Sequence, residues 1–115
     1  MTSDAFWSVV ESADPLTRLR TMPIPDLLRF HDELLDAAAE LQDKPYSDHM
    51  VASEDGQEDI ALWVVSQGRA YYEQVLAAPA TIPYSVEDQP TATLYTGVTL
   101  VIYRERTGEA PPDPY

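Results

Sequence analysis

The sequence predicts an all-α fold: one small domain of about four helices over residues 1–107, with a proline-rich tail at 108–115. Three observations carry this. Apolar residues recur at three- and four-residue spacing over 25–43 and 57–77. Helix punctuation brackets those stretches: Ser3 and Ser53 as caps, Pro25 at a helix start, Pro79 and Gly108 at helix ends. And 115 residues without a cysteine are one domain's length, burying roughly two-thirds of the unfolded surface with no staple. The competing fold is α+β, with a C-terminal hairpin at 91–104, because that stretch is rich in β-branched residues.

The first helix is short. Ser3 or Asp4 caps it, Phe6, Trp7 and Val10 form its apolar face, and Asp14-Pro15 ends it because proline disfavours helical geometry in its predecessor. Residues 15–24 read as a connector, with Leu16 and Leu19 adding at most a turn and Pro23-Ile24-Pro25 extended. The second helix runs from Pro25 to about Asp43. Proline suits a first helical position, Asp26 complements the dipole, and Leu27, Leu34, Leu35, Ala38 and Leu41 supply the stripe. Residues 44–56 are polar and broken and read as loop, with Ser53 capping the next helix and Gln57 reaching back.

The third helix is expected from about Gln57 to Ala77. Ile60, Trp63, Val64, Gln67, Tyr71, Val75 and Leu76 form its buried face, and Gly68 sits mid-helix where another element approaches closely. Residues 79–91 hold Pro79, Pro83 and Pro90 and form a surface connection. Residues 91–104 support two readings. β-Branched composition favours strand. Leu94, Val98, Val101 and Ile102 at helical spacing, Arg104 and Arg106 in a last turn and Gly108 at the cap position favour helix.

Charge narrows the function. Seven Lys+Arg stand against twenty Asp+Glu, for a net −13. Residues 26–59 alone carry eleven Asp+Glu and two Lys+Arg. Such a field repels phosphate backbones and anionic bilayers and attracts basic surfaces, which argues against nucleic acid and membrane as partners. The absence of cysteine excludes disulfides, thiolate metal sites and cysteine nucleophiles. The start, Met1-Thr2-Ser3-Asp4, lacks a signal peptide's basic and apolar regions, and the longest apolar runs, 62–65 and 100–103, fall far short of the ~20 residues of a membrane span. A cytoplasmic protein is expected.

Residues 53–79 carry a resemblance. Ser53, Asp55, Gly56, Trp63, Gln67, Gly68, Arg69 and Pro79 stand in the register of an S-D-D-G-F loop leading into an R-x-W-L-x-x-Q-G-R helix that ends at proline. This resembles the signature of the bacterial domain-of-unknown-function 4240 family. Phe6-Trp7, Tyr103 and Thr107-Gly108 match further family positions. Gln57 replaces the family's aromatic, Ala61 its arginine, and Lys44–Ala52 its hydrophobic, glycine-rich stretch before the loop. The family is thought helical, so the resemblance implies helix at 92–107; it implies no activity.

Four carboxylates, Asp32, Asp36, Glu40 and Asp43, fall on one line of the second helix with few lysines between them. They are the first candidate for docking a basic protein partner, together with Asp55 and Arg69 at a rigid corner of the fold. Inhibitors and immunity proteins use such acid without an active site. The other reading is a small enzyme or small-molecule-binding protein with a pocket around Trp63 and Arg69, lined by Trp63, Gln67 and Tyr72. Core packing of Trp63 and an ordinary Arg69–Glu73 helix pair account for the same residues. No cofactor or metal is expected: no histidine stands three or four residues from those acids in the pattern of carboxylate metal bundles. Ser47, Asp48 and His49 are adjacent, but no G-x-S-x-G elbow accompanies them, and His31 is the only other imidazole.

Overall fold

Six α-helices and two short 3-10 turns form the regular structure of the computed structural model, which describes residues 3–51, 53–90, 92–95 and 97–109. The helices are α1 (Asp4–Val10), α2 (Pro15–Thr21), α3 (Ile24–Leu41), α4 (Glu54–Ser66), α5 (Arg69–Ala77) and α6 (Val98–Thr107). No strand occurs among the described residues, so the class is all-α and the C-terminal hairpin is set aside. The expected count of four rises to six at two junctions.

The first is Asp14-Pro15. The Asp14 carboxylate accepts the Thr17 N–H at 3.2 Å and its hydroxyl at 2.7 Å, and these bonds hold the acid below its ordinary pKa. With a capping acid and a proline in its first turn, the expected connector is a true helix, and Leu19 anchors it in the core. The second junction is Gln67-Gly68, where the helix expected over 57–77 breaks in two. Gly68 takes φ 109° and ψ 172°, a region essentially reserved for glycine. Its predicted role in close approach holds. A Cβ there would sit 3.1 Å from a carboxylate oxygen of Glu11.

α4 begins at Glu54, three residues before its expected start, because Ser53 accepts the Gly56 N–H at 3.1 Å while Gln57 reaches back to the Val51 carbonyl at 2.9 Å. α6 begins later than expected, at Val98. Gly97 and Gly108, both left-handed, bracket it, and the Gly108 N–H bonds the Arg104 carbonyl at 2.8 Å. Burial of Val98, Ile102 and Tyr103 along one side overrides the β preference of their neighbours.

α3 is the spine, packed against α4 and α6. Phe6 of α1 stacks on Phe30 at 4.8 Å, and Trp7 meets Tyr72 of α5 edge-on at 5.3 Å. At the other end Arg106 donates to the Leu19 carbonyl at 3.2 Å and Glu105 pairs with Arg20 at 3.7 Å, joining α6 to α2. Three expected core residues are not in the core. Leu35 is 45% exposed because the buried stripe of α3 runs through Phe30 and Ala37, and Val101 is 47% exposed because α6 turns Ile102 and Thr99 inward. Gln67, at the end of α4, faces solvent. No described helix is long and apolar enough to cross a membrane. Beyond Glu109 the expected proline-rich tail lies outside the described residues.

Candidate functional site

The acidic line of α3 is solvent-facing throughout: Asp32, Asp36, Glu40 and Asp43 are all exposed. The i, i+4 spacing of Asp32, Asp36 and Glu40 puts them on one face of α3, burial of the opposite face fixes which way that face points, and Asp43 follows just past the helix end. Asp36, Glu40 and Asp43 line a cleft of about 580 Å³ whose other wall is α5. Glu73 adds a fourth carboxylate from that wall, while Trp7, Ala37, Tyr72 and Leu76 supply an aromatic and aliphatic lining. Asp32 lies along the line but outside the cleft.

Two hydrogen bonds hold this geometry. Tyr72 donates its hydroxyl to the Ala37 carbonyl at 3.1 Å, and Tyr46 donates to the Leu76 carbonyl at 3.0 Å. Burial, reinforced by the negative charge of Glu40, pushes the Tyr72 phenol up to about 12. It remains a neutral donor beneath the acids. No three carboxylates or histidines among the described residues converge as metal ligands would. The arrangement presents spread negative charge over an apolar base, suited to an extended cationic surface rather than to chelation.

Arg69 is placed differently from its expected role. Its guanidinium bonds Asp4 at 2.7 Å and Glu73 at 3.1 Å, which together hold it protonated above its ordinary pKa. Its backbone N–H donates to Glu11 at 3.1 Å. Arg69 thus sews the start of α5 to α1. Asp55 lies in the first turn of α4, a helix of 13 residues or roughly 20 Å from the α5 start, so the two do not form one corner. Asp55 lines a different cleft, with Gly56, Asp59 and Glu87.

The expected pocket residues also part company. Tyr72 belongs to the α3–α5 cleft, whereas half-buried Trp63 lines a smaller one of about 210 Å³ with Asp59, Leu62, Glu87, Leu94 and Tyr95. Gln67 donates to the Trp63 carbonyl at 3.2 Å and lines neither. Ser47, Asp48 and His49 share the 3-10 turn Tyr46–His49, where Asp48 pairs with Lys44 at 4.0 Å. His31 sits apart from them, its Nδ1 bonded to the Thr99 hydroxyl across the α3–α6 contact, and burial lowers its pKa.

Sequence reasoning missed Glu73 and Trp7 in the α3–α5 cleft. Glu73 was legible only as the helix partner of Arg69, and its second role depends on the turn at Gly68 that swings α5 alongside α3. A family model described as "Protein of unknown function (DUF4240)" matches residues 1–104. Neither a curated protein nor a solved structure matched the chain.

Proposed function

The chain belongs to the DUF4240 family of proteins of unknown function, and from that premise we propose that it is a non-enzymatic interaction protein that docks a basic protein surface on the acidic face of α3. The carrying observation is the α3–α5 cleft, in which Asp36, Glu40, Asp43 and Glu73 surround an aromatic and aliphatic lining. Lysine and arginine side chains carry apolar stems and charged heads, and this combination serves both parts. Concentrating net charge in residues 26–59 opposes folding through self-repulsion, and docking gives that cost a return in association rate. An inhibitor or immunity-type role, in which the acid covers a basic site on the partner, is the sharper form of the same reading.

A lysine-rich peptide titrated against the protein over a range of salt tests this. Association should weaken steeply as screening shortens toward ~8 Å, and the variant carrying Asp32→Asn, Asp36→Asn, Glu40→Gln and Asp43→Asn should associate more slowly while being more stable to urea. A flat salt dependence, or an unchanged on-rate in the neutralised variant, removes the proposal.

A further inference from the structure

The smaller cleft beside Trp63 has its own chemistry. At about 210 Å³ it lies below the ~300–1,000 Å³ of sites for drug-sized ligands and matches a single head group. Leu62 and Leu94 are its buried apolar base, and Trp63 and Tyr95 its aromatic walls. The walls are secured. Trp63 is braced edge-on by Tyr71 at 5.8 Å, and the Leu94 N–H donates to the Ser66 hydroxyl of α4 at 3.3 Å. Unlike Trp7, which is 3% exposed inside the core, Trp63 and Tyr95 keep ring surface open to the cleft. Asp59 and Glu87 stand at the rim, and neither has an ion-pair partner among the described residues.

Aromatic faces and unpaired carboxylates both select for positive charge. We propose that this cleft receives the guanidinium of an arginine side chain presented by a peptide. Guanidinium is favoured over ammonium because its plane stacks on the indole while its N–H groups reach the carboxylates. A peptide is favoured over free arginine because the free amino acid brings an α-carboxylate among Asp59 and Glu87, into a chain of net −13. The flanking peptide has somewhere to run: the cleft lined by Asp55 and Gly56 shares Asp59, Val86 and Glu87 with this one. No residue lining the α3–α5 cleft takes part, so the two proposals stand or fall separately.

The protein has two tryptophans, so its nitrogen–proton correlation spectrum carries two indole signals, and Trp63→Phe assigns them. Acetyl-arginine-amide, titrated at constant ionic strength, should move the Trp63 signal saturably, and that shift is the readout for each compound and variant. The neutral isostere acetyl-citrulline-amide should bind about tenfold more weakly from loss of the charge, and free arginine should also bind more weakly because its α-carboxylate is repelled by Asp59 and Glu87. Asp59→Asn with Glu87→Gln, both on exposed side chains, should weaken acetyl-arginine-amide by a similar factor, while Asp36→Asn with Glu40→Gln should leave it unchanged. Equal response to the citrulline compound, or an Asp59/Glu87 variant that binds like wild type, overturns the site. Free arginine binding as tightly as the amide overturns the peptide assignment.

Discussion

The Tyr72 hydroxyl reaches the Ala37 carbonyl at 3.1 Å, tying α5 to α3 directly beneath a ring of carboxylates. Tyr72→Phe removes the bond and should cost about 0.5–1.5 kcal/mol in urea unfolding, the usual net value of one hydrogen bond. It also removes an alkaline dependence. The unfolded phenol ionises near 10 and the folded one near 12, so the wild type keeps this stability below pH 10 and loses it as pH rises through 12. Unfolding midpoints on either side of that window should converge for wild type and variant as the solution becomes alkaline.

Gly68 and Gly97 both have positive φ, and they should respond differently to alanine. At Gly68 the backbone lies in a glycine-only region and a Cβ meets Glu11, so Gly68→Ala should cost roughly 2–3 kcal/mol. At Gly97 no atom lies within 4 Å of a Cβ and the conformation is ordinary left-handed helix, so the cost should stay near 1 kcal/mol. Thermal melts of the two variants give the order, and a reversal would contradict the break between α4 and α5.

Both tryptophans are expected on apolar helix faces, and only Trp7 is fully buried. Trp63, expected in the core, is half-buried, and Trp7 carries the interior ring contacts with Phe6 and Tyr72. Trp7→Ala should therefore destabilise by ~3–5 kcal/mol, as deletion of a large core side chain does. Trp63→Ala should stay below about 2 kcal/mol, since less of its area leaves water on folding. Chemical denaturation of both variants decides it.

His31 provides a test on the acid side. Burial lowers its pKa from 6.5, so the folded chain resists a proton that the unfolded chain accepts. The charged groups beside it include Asp32, whose negative charge opposes that shift without reversing it. Stability from the neutral imidazole is thus present above pH 6.5 and lost as pH falls through the lowered folded value. Wild type should lose more stability than His31→Gln between about one pH unit above and one below 6.5. Parallel curves would mean that burial does not hold the imidazole neutral.

α3 was legible in the sequence because its signals agree: prolines at the start, one apolar stripe and one acidic line. The same agreement placed the Ser53 cap and the Gly108 end of α6. The junctions were harder. Asp14-Pro15 reads as the end of the first helix, but α1 already stops at Val10 and the pair opens the next helix, and helical periodicity passes through Gly68 as if the backbone did not turn. The clefts inherit this difficulty. One wall of each is a helix face that spacing can predict; the facing wall, α5 with Glu73 or the 86–95 segment with Glu87 and Tyr95, is set by tertiary packing that periodicity does not encode.

That second wall carries one more consequence. Among the described residues from Ile82 to Tyr95 there is no helix, and the bonds of this segment to the rest of the molecule include the Val51 N–H to the Tyr84 carbonyl at 3.0 Å and Leu94 to Ser66. Buried Ile82 and Leu94 plug it into the core, and half-buried Val86 packs against it. Local opening needs only those plugs withdrawn, far less than melting α3, so amide protons of this segment exchange with solvent at a lower free energy than those of the spine. Whatever occupies the Trp63 cleft clamps the strap, and slowed deuterium uptake between Val86 and Tyr95 is the footprint it leaves.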